Sequence, residues 1–141
     1  MLTLCHVVLY RSVAVLPAES EAERDMIRRA RIKNRDLSVT GFLHREYDVY
    51  YQWFEGPGEK INDLMTVITA DPRHSGVDIL HRAANQPRRF ADWAMGHSTT
   101  EHTSLFDWAS QANVSLRRIN PVQILDFLTR QAESQRAASQ T

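Results

Sequence analysis

The sequence of 141 residues contains a single cysteine, Cys5, and no excess of either charge. One cysteine cannot form an internal disulfide, and a chain without disulfides is typical of a reducing, cytoplasmic compartment. Seventeen basic residues balance seventeen acidic ones, which argues against nucleic acid or an anionic membrane as a general partner. No apolar run is long enough for a signal peptide or a membrane span. These absences favour a small globular protein of the cytoplasm.

The common sequence signatures of catalysis are also missing. Neither a Walker lysine nor a G-x-G-x-x-G loop is present. The six histidines lack H-x-H or H-E-x-x-H spacing, so no metal site is predicted. Ser12, Asp71 and His74 could form a nucleophilic group, but no G-x-S-x-G elbow accompanies them, so hydrolysis is not favoured.

Hydrophobic periodicity predicts a mixed sheet in the first hundred residues. Ser20 and Glu23 have the spacing of a capping box and open a predicted helix over 20–34. An apolar stripe from Ile61 to Ile68 predicts a second helix. The β-rich stretches between and around these helices are 2–10, the hairpin 39–54 with its turn near 45–48, 77–80, and 93–97. The order β-α-β-β-α-β-β indicates the α+β class, with a ferredoxin-like sheet and both helices on one face.

The remaining residues, 99–141, are predicted to form a C-terminal helical extension. A short amphipathic segment surrounds 105–109. Asn120 as N-cap and Pro121 at the first helical position open a further helix. The tail from Gln131 onward is small and polar, and we expect it to fray.

Three polar residues occupy positions where a core is normally apolar. Tyr10 ends a strand that reads as buried, Gln52 lies inside another strand, and Asn34 closes the first helix. Two explanations remain open from the residues alone. The amides could satisfy backbone groups in a structural network. Alternatively, a heteroaromatic ligand could lie between the two helices, with Asn34 reading its edge and Gln52 bridging it to Tyr10.

Five separated motifs stand in order along the same region. They are LYRS at 9–12, N-x-x-x-x-V-T-G at 34–41, YYQWFEGP at 50–57, D-x-R-H-S at 71–75, and RRF-x-x-W-x-M at 88–95. Each motif alone is weak, but in this order and spacing they are specific. Together they resemble the BLUF family, the sensors of blue light using FAD, over about residues 2–97. The resemblance implies that residues 1–98 form an FAD-binding photosensor domain of ferredoxin-like fold.

The resemblance also assigns roles to individual residues. It implies that Tyr10 is the photoactive tyrosine, that Gln52 is the switching glutamine, and that Asn34 hydrogen-bonds the carbonyl edge of the flavin. The other cofactor-binding residues that it implies are Lys33, Asp71, Arg73 and His74. The signal-relay positions that it implies are Ser12, Trp93 and Met95.

Some positions carry a second interpretation. The stretch 71–74 equally suits a charge-paired exit from the second helix. Lys33 replaces the polar residue that many members carry before the asparagine. Val67 stands where some members place an arginine against the flavin, and Tyr50 and Tyr51 replace common phenylalanines and could compete as electron donors or simply pack.

The function that the resemblance implies is a blue-light receptor without catalytic turnover of its own. Its state would be read by a separate effector protein, and we expect the receptor to form a homo-oligomer. Two other classes remain as alternatives. One is a flavin-dependent redox enzyme, and the other is a ligand-free ferredoxin-like interaction module in which Gln52 is only a satisfied core residue.

Overall fold

A computed structural model describes residues 4–113 and 120–139 of the chain. The helices and strands within these residues, in chain order, are β1 (Cys5–Ala14), α1 (Glu21–Asp36), β2 (Thr40–Glu46), β3 (Val49–Gly56), α2 (Gly58–Ala70), β4 (His74–Gln86), β5 (Gly96–Thr99), α3 (Leu105–Gln111) and α4 (Pro121–Ser139). Residues 2 and 3 of the first predicted strand lie outside the described ranges. Within those ranges, no helix has the length and apolar character needed to cross a membrane.

The five strands form one sheet in the order β4-β1-β3-β2-β5. All neighbouring pairs are antiparallel except β2 and β5, which run parallel. The central strands bring Tyr10 and Gln52 directly opposite each other, and Gln52 is also paired with Leu43. This arrangement confirms the predicted ferredoxin-like α+β fold.

Alternation along the strands gives the sheet two covered faces. On one face, Val8 and Tyr10 pack with Leu64 of α2, and Leu43 packs with Met26 of α1. The prediction that α1 and α2 share a face is therefore confirmed. The opposite face carries a cluster that includes Phe42, Trp53, Leu105, Phe127 and Leu128, so α3 and α4 cover it.

The capping residues named from the sequence occupy the helix starts as expected. Ser20 Oγ accepts a hydrogen bond from the Glu23 N–H at 3.2 Å, and Glu23 Oε1 accepts one from the Glu19 N–H at 2.9 Å. Asn120 Oδ1 accepts from the Gln123 N–H at 3.0 Å. These contacts satisfy amide groups that a helix start otherwise leaves without partners.

Three strand predictions were wrong in their extent. The predicted strand 2–10 continues to Ala14 in β1, so Tyr10 does not end it. The predicted strand 77–80 is the middle of β4, which is thirteen residues long. Because β4 lies at the edge of the sheet, its residues are partly or fully exposed. Polar residues are therefore frequent in it, and the hydrophobic pattern does not reveal its full length. The predicted strand 93–97 begins only at Gly96. Residues before it form a turn, since the Trp93 N–H donates to Phe90 O at 2.9 Å.

The prediction that the tail frays from Gln131 was also wrong, because α4 continues to Ser139. Gln131 and Ala132 are buried, at 6% and 1% exposure. Gln135 Nε2 donates to His97 O at 2.6 Å, and Arg136 forms an ion pair with Asp92 at 3.1 Å. These contacts with residues 92–97 stabilise the last turns of a helix whose composition is weakly apolar.

Candidate functional site

A cavity of about 160 Å³ lies between α1 and α2, above β1 and β3, and opens to solvent. Its walls are mostly apolar, and polar side chains from the sheet, from α1 and from the stretch after α2 also line it. The apolar lining residues are Met26, Ala30, Leu43, Phe54, Leu64, Val67, Ile68 and Met95. A concave apolar site with a few fixed polar groups is the usual form of a small-molecule site.

Tyr10 and Gln52 form the polar floor of this cavity. The Tyr10 hydroxyl donates a hydrogen bond to Gln52 Oε1, and Gln52 Nε2 donates to Met95 Sδ at 2.9 Å. Tyr10 is completely buried. Burial raises its pKa above the ordinary value of 10, and the nearby Tyr50 and Asp71 add to that effect. Tyr10 is therefore a neutral phenol whose proton points at an amide oxygen.

Asn34 lies in the last turn of α1 and is 1% exposed. Its Nδ2 donates to Ala94 O at 2.9 Å, and its backbone carbonyl accepts from the Val39 N–H at 2.8 Å. The side-chain amide is therefore held at the cavity wall by residues from outside the helix.

Four charged side chains also line the cavity, and they are Arg29, Lys33, Asp71 and Arg73. Arg73 Nη2 contacts Asp71 Oδ2 at 2.6 Å. The hydrogen bond from Arg73 holds the pKa of Asp71 below its usual value. The stretch after α2 is thus both a charge-paired helix exit and part of the cavity.

His74 lines the cavity beside Tyr10, with the two ring centroids 6.1 Å apart. Its Nδ1 lies 3.0 Å from Ser12 Oγ. Burial lowers the pKa of His74, so the ring is neutral at pH 7. Ser12, Asp71 and His74 do not form the nucleophilic group considered from the sequence. Ser12 is buried, at 1% exposure, and the Asp71 carboxylate accepts its hydrogen bond from Arg73.

The three implied relay residues are divided between the two faces of the sheet. Met95 contacts Gln52, and its backbone carbonyl accepts from Arg31 Nε at 2.8 Å. Trp93 packs on the opposite side, with its ring 6.0 Å from that of Phe42 and with the Arg136 guanidinium 5.9 Å from its centroid. Trp93 therefore contacts α4 and not the cavity.

Sequence reasoning missed a buried ionic cluster beside the cavity. Glu23 Oε2 accepts hydrogen bonds from Arg45 Nη1 and from the Tyr50 hydroxyl. All three side chains are at most 2% exposed. The sequence pattern indicates Glu23 only as a capping residue and Arg45 only as part of a turn. The available signal was the alternation of the hairpin strand, which points Arg45 to the same face as Leu43.

A second buried series of hydrogen bonds, on the opposite face of the sheet, was also missed. His44 Nδ1 lies 2.7 Å from Ser98 Oγ in β5, and His44 Nε2 lies 2.8 Å from Glu46 Oε1. Glu46 in turn accepts from the backbone N–H of Leu105 at 2.8 Å and from Ser104 Oγ at 2.7 Å. This series connects β5 to the start of α3. In the described ranges, no cluster of three or more histidine, cysteine or acidic residues is arranged to bind a metal ion.

The fold and the cavity together define an α+β domain with a partly apolar cavity between two helices, open to solvent. The family profile of BLUF, "Sensors of blue-light using FAD", matches residues 5–96. The chain therefore belongs to the BLUF family and is a flavin-binding blue-light receptor domain.

Known relatives and solved structures agree with this assignment. The photoactivated adenylate cyclase subunit beta of Euglena gracilis is 33% identical over 93 residues, which are 64% of this chain and 11% of that protein. The chain thus spans about a tenth of the length of the curated relatives it matches. The BLUF protein BlrB in its dark state matches with a TM-score of 0.76 and 25% identity, covering 94% of this chain and 99% of that one. BlsA in its photo-activated state shares the fold, with a TM-score of 0.74, 22% identity, and coverage of 89% and 93%.

The residues of the cavity fit a flavin. Apolar side chains of both helices and the sheet can cover the two faces of a planar ring, and the fixed amides of Asn34 and Gln52 offer donors and acceptors to its edge. The lining residues of α2, which are Leu64, Val67 and Ile68, are all apolar. Val67 therefore contributes wall area where an arginine would contribute a hydrogen bond.

Proposed function

We propose that this domain senses blue light through bound FAD, with Tyr10 and Gln52 as the light-driven hydrogen-bond switch. The observation that supports the proposal is the chain of contacts from the Tyr10 hydroxyl through the Gln52 amide to Met95 Sδ at the cavity floor. Asn34, Lys33, Asp71, Arg73 and His74 are the further cofactor-binding residues in this proposal.

Bound flavin supplies the absorption of blue light and, in its excited state, a strong oxidant. Tyr10 would give one electron to this oxidant and would release its hydroxyl proton along its hydrogen bond to Gln52, through the amide to the reduced ring. The proton leaves with the electron because a cationic phenol is unfavourable in a completely buried position. The Gln52 amide has one accepting and one donating end, so its rotation or tautomerisation changes which neighbour receives a proton. The switch thereby rearranges hydrogen bonds without leaving a net buried charge.

The cations that line the cavity favour a flavin nucleotide, FAD or FMN, over riboflavin. Lys33 and Arg29 lie one turn apart on α1, and Arg73 follows α2. Cations so placed attract the phosphates of a flavin nucleotide. We expect Lys33→Met to weaken the binding of FAD more than that of riboflavin, measured by flavin fluorescence titration. Equal weakening of both ligands would show that Lys33 does not contact the phosphates. Chromatography of the flavin released from purified protein distinguishes FAD from FMN.

The output is conformational in this proposal, and residues 92–97 carry it. Met95 contacts Gln52 in the cavity, whereas Gln135 and Arg136 of α4 contact residues on either side of it. A change at Gln52 therefore reaches α4 through one short segment. Residues 1–98 are the photosensor in this division, and residues 99–141 form the extension that responds.

In this proposal a separate effector protein binds the receptor and responds to its state. The receptor acts as a homo-oligomer and has no catalytic turnover of its own. The cyclase subunit of Euglena gracilis, in which the matching region is 11% of the protein, supports only the transmission of the signal to an effector. Pull-down experiments in darkness and in light test whether an effector binds differently to the two states. Equal recovery of every binding protein in both states would contradict the proposed output.

The photochemical test uses Tyr10→Phe, which removes the hydroxyl and keeps the ring. We expect the variant to retain flavin and to lose the reversible red shift of the flavin absorption band under blue light. Tyr51→Phe is the matched control, because Tyr51 lies one residue from Gln52 but faces the opposite side of the sheet. Gln52→Leu should also bind flavin without the normal shifted state. An unchanged photocycle in Tyr10→Phe would exclude the proposed role.

The same measurement tests for catalytic turnover. Substrate-dependent bleaching of the flavin would indicate a redox enzyme.

A further inference from the structure

Tyr50 is a second buried phenol on the cavity side of the sheet. It lies two residues before Gln52 on β3, so their side chains share a face. Its ring centroid is 5.4 Å from that of His74, which lines the cavity. Tyr50 packs in a cluster with Met26, Leu43 and Met95, and these three residues also line the cavity. Tyr50 therefore packs among side chains that line the ligand space.

The Tyr50 hydroxyl already has a proton acceptor. It donates to Glu23 Oε2, an oxygen that Arg45 Nη1 also contacts. Burial alone would raise the pKa of Glu23, but hydrogen bonds from Tyr50, the Glu19 N–H and Arg45 lower it overall. Burial and the contact with Glu23 raise the pKa of Tyr50. At neutral pH the pair is therefore a neutral phenol hydrogen-bonded to a carboxylate.

This contact changes how easily the phenol can be oxidised. An oxidised phenol is a strong acid, so a buried phenol gives up an electron readily only if its proton leaves at the same time. Tyr10 donates its proton to a neutral amide oxygen, whereas Tyr50 donates to an anion. Arg45 also contacts Asp48 Oδ1 at 3.0 Å, so it keeps a counter-ion when Glu23 becomes neutral.

We propose that Tyr50 is a second electron donor to the light-excited flavin, with Glu23 as its proton acceptor. The inference rests on flavin binding as set out under the proposed function. One electron passes from Tyr50 to the excited flavin, and the hydroxyl proton moves along the existing hydrogen bond to Glu23 Oε2. Tyr50 becomes a neutral radical, the flavin is reduced by one electron, and Glu23 becomes a neutral acid. Return of the electron and the proton restores the starting state.

Tyr10 is the nearer donor, because it lines the cavity directly and Tyr50 does not. The second donor is therefore measured in the Tyr10→Phe background, after a light flash on the flavin-loaded protein. We expect a tyrosyl-radical signal in transient absorption and electron paramagnetic resonance. The signal should persist in Tyr10→Phe/Tyr51→Phe and disappear in Tyr10→Phe/Tyr50→Phe. A signal of equal size in the last variant, or its loss in the Tyr51 control, would overturn the proposal.

Glu23→Gln supplies a second test that leaves Tyr50 in place. In the Tyr10→Phe background it keeps a hydrogen-bonding side chain but removes the anionic acceptor. We expect slower formation of the tyrosyl radical and a smaller rate difference between H₂O and D₂O. Unchanged kinetics would overturn the role of Glu23. These results are independent of the red shift in the unmodified protein, so failure of the Tyr10 switch and failure of the Tyr50 donor are distinguishable.

Discussion

Arg45→Met removes the cation from the buried cluster that joins the start of α1 to the β2–β3 hairpin. An exposed ion pair contributes only about 0–1 kcal/mol to stability, but Arg45 and Glu23 are 2% and 1% exposed. Removing one partner of a buried pair costs about 3–5 kcal/mol, because the other charge stays buried without compensation. Arg45 also donates to the carbonyls of Leu16 and Tyr47, at 2.8 and 2.6 Å. We therefore expect a loss in the upper half of that range.

Urea unfolding at neutral pH measures this loss directly. Thermal unfolding reports the same loss as a lower melting temperature. For a chain of this size about 2–4 °C corresponds to 1 kcal/mol, so we expect the melting temperature to fall by roughly 10 °C or more. Glu23→Gln/Arg45→Met removes both charges and should recover a large part of the loss, since a buried pair can often be replaced at little cost. A loss of less than about 1 kcal/mol in the unfolding free energy of Arg45→Met would contradict a buried ion pair. So would a double variant whose loss equals the sum of the two single losses.

Three further outcomes follow from other contacts. Asn34→Ala should weaken flavin binding by roughly tenfold, the equivalent of one hydrogen bond of about 1.4 kcal/mol. Unchanged affinity in a fluorescence titration would leave the Asn34 side chain with only its structural hydrogen bond to Ala94 O. Burial lowers the pKa of His97 from 6.5 to about 4. Between these two pH values the unfolded chain binds a proton at His97 that the folded chain does not. The free energy of unfolding should therefore fall by about 3 kcal/mol as the pH drops from 6.5 to 4. His97→Gln should remove most of that pH dependence in urea unfolding. Gln135→Ala removes the hydrogen bond to His97 O, and we expect faster amide exchange in β5, with no change there contradicting the contact.

Local signals were sufficient for most of the fold. Ser20 and Glu23 set the start of α1, and Asn120 set the start of α4, because capping depends on residues only a few positions apart. The extents of β4 and β5 were not predictable in the same way. The length of β4 follows from its pairing with β1, and the start of β5 follows from a turn held by Phe90 O.

The site was predictable where a polar residue interrupts an apolar pattern. Tyr10, Gln52 and Asn34 were named for this reason and lie together at one cavity. The separation of Trp93 from Met95 was not predictable, because it depends on the path of a turn and on the packing of α4 against it. The partnership of Arg45 with Glu23 was also missed, since the two residues are 22 positions apart and each had a sufficient local explanation.

The series of hydrogen bonds from Ser98 through His44 to Glu46 bears on how the receptor responds to salt concentration. Its side chains are at most 2% exposed, and it connects β5 to α3 through hydrogen bonds that dissolved ions do not reach. Exposed charge pairs weaken as salt concentration rises, whereas buried contacts are screened much less. Communication between the sheet and α3 along this route should therefore be nearly the same in dilute and in saline media.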